Sequence, residues 1–132
     1  MKTRPCDAGD ARNRLAQARR FLEAAELYDG DEDPQAANVS ATNAVMAAIA
    51  ASDAACCAYF GEHPQGDAHA EAPDLVKRIP DGGTAASQAL RRAVALKNKA
   101  QYNLLPISKA DRDTAHKQAR KIIAFAADVL ER

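Results

Sequence analysis

Half of the residues from Ala41 to Ala58 are alanine, and this run constrains the fold more than any other part of the chain. Alanine is the strongest helix former and a poor strand residue, and nothing in the run alternates with a period of two. Asp33 is suited to an N-cap, Pro34 to the first helical position, and Gly61 to the C-terminal stop. A helix from about 34 to 60 follows, with Val39, Asn43, Met46, Ala50, Asp53, Cys57 and Phe60 on its inward face. Small side chains let neighbouring helices come close, so this is the expected central helix. Thr42, Asn43, Ser52 and Asp53 interrupt the run and make it a poor membrane span.

The flanking segments repeat the helical pattern. Leu15, Ala18, Leu22 and Ala25 set a heptad-like stripe over about 10–28, which Gly30 ends. A short helix spans about 70–79 and stops at Pro80. After the Asp81-Gly82-Gly83-Thr84 turn, a helix runs to Gln101 or Tyr102. Ser108, with Asp111 three residues on, opens a last helix carrying Ala115, Ala119, Ile122, Ile123, Ala126, Val129 and Leu130. The predicted fold is all-α: an up-and-down antiparallel bundle of four main helices plus one short helix. Residues 1–9 read as a flexible lead-in and 10–132 as a single domain.

Charge identifies no partner, since Lys plus Arg and Asp plus Glu both total 18. Two basic runs, Arg12-Arg14-Arg19-Arg20 and Arg91-Arg92-Lys97-Lys99, read as solvated helix faces. Cys6, Cys56 and Cys57 are odd in number, and the vicinal pair would point to different sides of a helix. Neither a disulfide framework nor a zinc site is expected, and Cys57 reads as a small buried residue. No apolar leader follows Met1-Lys2-Thr3-Arg4-Pro5, so the expectation is a soluble cytoplasmic protein with no membrane attachment.

The polar groups on apolar faces carry the functional reading. Lys97 and Gln101 fall on the helix face defined by Ala86, Leu90, Ala93 and Val94. Asp53 lies among Met46, Ala50, Cys57 and Phe60, where a carboxylate needs a cationic or hydrogen-bonding partner. Lys97 and Gln101 are the expected partners, with Asn43 and Thr42 beside them. Such a set is either a structural network that fixes helix register or a ligand cleft. His116 is expected on an exposed flank, and His63 and His69 bracket a loop. Their spacings match no common metal pattern, so no metal and no cofactor are expected.

These landmarks together resemble the HEPN family of small helical bundles. Arg19-Arg20-Phe21-Leu22-Glu23-Ala24-Ala25 resembles its opening helix, and Ser40-Ala41-Thr42-Asn43-Ala44 through Ala50-Ala51-Ser52-Asp53-Ala54 its long alanine-rich helix. His69 resembles a histidine near the start of the third helix. Leu96-Lys97-Asn98-Lys99-Ala100-Gln101-Tyr102 resembles the segment where one branch carries Arg-x-x-Ala-Asp-Tyr. The resemblance implies a homodimer. It also implies, for toxin-like members of toxin–antitoxin systems, a ribonuclease built on an arginine, a short spacer and a histidine. Lys97 matches the arginine position, but no histidine follows it, and Gln101 cannot shuttle a proton.

The expected function is therefore a non-catalytic dimeric module that binds a nucleotide, RNA or a protein partner such as a nucleotidyltransferase. Its cleft would comprise Asn43, Asp53, Lys97, Lys99, Gln101 and Tyr102. The alternatives are a divergent metal-independent ribonuclease using Lys97, His69 and Tyr102, or a purely structural assembly domain. A tyrosine phenol titrates near pH 10, which counts against Tyr102 as the acid or base.

Overall fold

A computed structural model describes residues 1–66, 70–102 and 106–132, apart from the side chains of Gln101 and Tyr102. The chain is predominantly helical, with α1 at Ala8–Glu26, α2 at Pro34–Phe60, α3 at Ala72–Val76, α4 at Gly83–Tyr102 and α5 at Lys109–Glu131. Two three-residue strands, β1 at Thr3–Pro5 and β2 at Glu62–Pro64, pair antiparallel with Arg4 opposite His63.

The helix ends follow the capping chemistry. Asp33 accepts a hydrogen bond from the backbone N–H of Gln35, and Gly61 closes α2 in the left-handed region with φ 71°. Ser108 accepts from the N–H of Asp111. The start of α1 was not legible as a cap. Asp7 accepts from the N–H of Asp10, and Asp10 returns a bond from the N–H of Asp7. This reciprocal box begins the helix at Ala8. The stretch expected to be a flexible lead-in thus holds a strand and a helix cap.

The four long helices alternate in direction. α2 touches α1, α4 and α5, and α5 touches α1 and α4, so α2 and α5 form the short diagonal of the bundle. Their alanines permit this: Ala44, Ala47, Ala48, Ala51, Ala54 and Ala55 on α2 and Ala115, Ala119 and Ala126 on α5 are fully buried. Few large residues fill the remaining space, chiefly Ile79, Leu90, Ile122, Val45 and Val76. By length and hydropathy α2 could cross a bilayer, but 72% of its most apolar window is buried within the bundle.

His116 corrects an expectation. It is buried rather than on an exposed flank, and its Nε2 lies 2.7 Å from Ser40 Oγ. Ser40 is itself bonded to Ala25 O at 2.8 Å, which commits its only proton. His116 Nε2 must then be the donor, so the neutral ring carries its proton there. Burial holds the imidazole below its ordinary pKa; the charge of Asp29 opposes this, and Arg120 and Arg112 act with the burial.

A pH dependence follows. The unfolded chain takes up this proton near pH 6.5 and the folded chain only at lower pH. The stabilisation is complete above about pH 6.5. It is lost as pH falls toward the lowered folded value. Urea unfolding should give a lower midpoint at pH 5 than at pH 7.5, with the gap narrowed in His116→Gln. An unchanged gap in that variant would assign the dependence to other groups.

Candidate functional site

The polar cleft lies at the end of the bundle where the chain begins and α2 ends. Two backbone bonds tie the lead-in to the segment after α2: Cys6 N–H to Gly61 O at 2.9 Å and Gln65 N–H to Lys2 O at 3.0 Å. A disulfide between Cys6 and Cys57 bridges 51 residues, with the two Cα atoms 5.8 Å apart. This bond differs from the expectation that the odd number of cysteines forms no disulfide framework. Antiparallel packing of α1 on α2 brings the start of one beside the end of the other, and that places the two cysteines together. Cys56 turns the opposite way into the core, as expected for a vicinal pair on a helix. Burial pushes its thiol up to about 12, reinforced by the charge of Asp53, so it stays protonated and unreactive at neutral pH.

This clasp encloses a cleft of about 610 Å³ lined by Arg4, Pro5, Cys6, Asp10, Arg14, Asp53, Cys57 and His63. β1 supplies Arg4, α1 supplies Asp10 and Arg14, α2 supplies Asp53, and β2 supplies His63. Asp53 is only 7% exposed. Arg14 meets it with Nη2 at 2.9 Å and Nε at 3.2 Å from the same oxygen, Oδ2. Nη1 of Arg14 bonds Gln17, which fixes the guanidinium plane. The Nδ1 atom of His63 is buried and makes no hydrogen bond among the described residues.

Asp53 therefore has the cation that its burial demands, but Arg14 provides it where Lys97 was expected. Helix geometry explains the difference. Ala100 near the end of α4 lies beside Asn38, Val39 and Asn43 in a shallow groove. Asp53 is ten residues further along α2, about 15 Å from that level. Lys97 belongs to the groove end, half-buried. Asn43 bonds its own helix through Val39 O, and Lys99 pairs with Asp111 at 2.6 Å. The side chains of Gln101 and Tyr102, and all of His69, lie outside the described residues. The expected site is thus divided: Asp53 faces the clasped end, and Asn43, Lys97 and Lys99 lie toward the other.

Arg14 could have been found. It is three residues after Ala11 and four before Ala18, so it falls on the stripe that α1 buries. Its companions in the basic run, Arg12, Arg19 and Arg20, are exposed, and membership of that run masks the periodicity. In the second basic run, Arg91 is exposed and pairs with Asp74 at 2.7 Å. Among the described residues no three His, Cys, Asp or Glu side chains gather as a metal site.

The cleft can recognise charge. Arg14 retains N–H groups beyond those bonded to Asp53 and Gln17. Arg4 is exposed and makes no ion pair among the described residues. A guanidinium pair beside an imidazole suits a phosphate or carboxylate, for which arginine offers paired donors in one plane. No family model, no curated protein and no solved structure matches this chain.

Proposed function

We propose that the chain is a HEPN-like, non-catalytic binding module, and that its ligand is a small phosphate-bearing molecule of the nucleotide class seated in the clasped cleft. One observation carries this reading: charged side chains from three separate elements, with the imidazole of His63 from a fourth, converge on a single concavity. The cations are not spent equally. Arg14 largely neutralises Asp53, and Asp10 accepts the N–H of Asp7 in the helix cap. Arg4 is the guanidinium left for an incoming anion. The pairing of two copies implied by the HEPN resemblance belongs to the same proposal.

The test is a titration of the oxidised protein with AMP, followed by amide chemical shifts, with an RNA pool incubated in parallel. Shifts should appear at residues 4–6, 10–14 and 53–63, and the RNA should remain intact. Arg4→Ala should weaken binding about tenfold, the effect of losing one charge-assisted hydrogen bond. Shifts centred on Asn43 and Lys97 would move the site to the groove end. No shift at millimolar AMP would overturn the nucleotide reading, and cleavage of the RNA would overturn the non-catalytic one.

A further inference from the structure

The disulfide forms part of the cleft wall, where a ligand could reach it. Both cysteines line the cleft, and Cys6 is half-buried where Cys57 is 5% exposed, so Cys6 is the more exposed residue of the pair. Arg4 lies in the middle of β1 and Cys6 one residue beyond its end, and both line the cleft. Arg14 closes the same cleft from α1. The cleft also carries the carboxylates of Asp10 and Asp53. But Arg14 meets Asp53 and Arg4 makes no ion pair among the described residues, so Arg4 is the charge able to select among small thiols at this disulfide.

We propose that Cys6 is a thiol-exchange site for small thiols bearing a carboxylate, with Arg4 holding the carboxylate while the sulfur reacts. The thiolate of the incoming molecule attacks Cys6 Sγ and forms a new S–S bond. The bond from Cys6 to Cys57 breaks, its electron pair leaves on Cys57 Sγ, and that thiolate takes a proton from water. Cys6 then carries the small thiol as a mixed disulfide. A second thiolate attacks the sulfur of the bound molecule, and the electron pair of the breaking bond leaves on Cys6. In total, two small thiols are oxidised to one disulfide and the protein disulfide is reduced to two thiols. The buried thiol of Cys56 stays outside the exchange.

The inference rests on the reading of the cleft as an anion site, and the test separates the two. Oxidised protein is mixed with 3-mercaptopropionate or with 2-aminoethanethiol at matched thiolate concentration, and adducts are located by peptide mass spectrometry. The anionic thiol should form its adduct on Cys6 about fivefold faster than the cationic one, the factor for one charge contact in a water-like medium. Arg4→Ala should abolish that preference. Equal rates in the unsubstituted protein, adducts on Cys57 alone, or no reaction with either thiol would each overturn the exchange site. AMP titration of the same sample reports on the cleft separately. AMP binding beside an inert disulfide defeats the exchange alone, whereas equal thiol rates without AMP binding defeat both.

Discussion

Reduction of the Cys6–Cys57 disulfide is expected to lower the free energy of unfolding by about 4 kcal/mol, the chain-entropy value for a closed loop of this length. The bond links residues 51 apart, so the reduced, unfolded chain gains the freedom of nearly two helices and the turn between them. On the folded side little compensates. β1 is a three-residue strand and the clasp adds two backbone bonds, each worth about 1 kcal/mol net. Urea midpoints with and without a reducing agent, repeated on a Cys6→Ala/Cys57→Ala variant, measure the effect. The reduced protein and the double variant should agree. If the midpoint moves by much less than this, the N-terminal segment is already loose in the folded state and the clasp does not constrain the bundle.

The same clasp marks the boundary of what could be read from the sequence. The four long helices were legible because each signal is local: alanine propensity, a 3.6-residue stripe, and caps at Asp33, Gly61 and Ser108. The central place of α2 was legible because its small side chains let neighbouring helices come close, but the face expected to point inward was misplaced at both ends: Val39 and Phe60 are exposed. The cleft was not, because it depends on which ends of which helices meet. Asp53 showed that a partner was needed, and burial on an apolar face was sufficient reason to expect one. Choosing between Lys97 and Arg14 required knowing that α4 passes Asn43 with its last turns, well away from Asp53. Arg14 carried a periodicity signal that its membership of a basic run concealed. Cys6 and Cys57 carried none, since 51 residues of separation fix no distance until two helices are packed. His116 has a different cause. It falls one residue after Ala115 on α5, and both α1 and α2 pack against that helix, which widens the buried stripe to include it.

Ile122→Ala is expected to cost about 4 kcal/mol, in the upper part of the range for an isoleucine truncated in a packed core. Two features of this bundle place it there. Ile122 is fully buried near the centre of α5 and, among the described residues, is one of the few large side chains with almost no exposure. The buried face of α2 across the diagonal consists largely of alanines, which have no rotatable side chain to extend into the space left behind. Relaxation would require the two helices to move together, yet their alanine faces already meet. The cavity term therefore adds almost fully to the lost transfer energy. Ile122→Val, which removes one carbon and keeps the branched shape, should cost only about 1 kcal/mol. The truncation of half-buried Leu130 on the same helix should cost less than that of Ile122. Equilibrium urea unfolding of the three variants at one pH provides the comparison. A loss below about 1.5 kcal/mol for Ile122→Ala, less than the range for truncating a buried isoleucine, would mean that α5 can settle onto the alanine face. The close diagonal would then be a compressible contact, and the register of α5, on which His116 and Ser40 depend, would be set by their hydrogen bond instead of by packing.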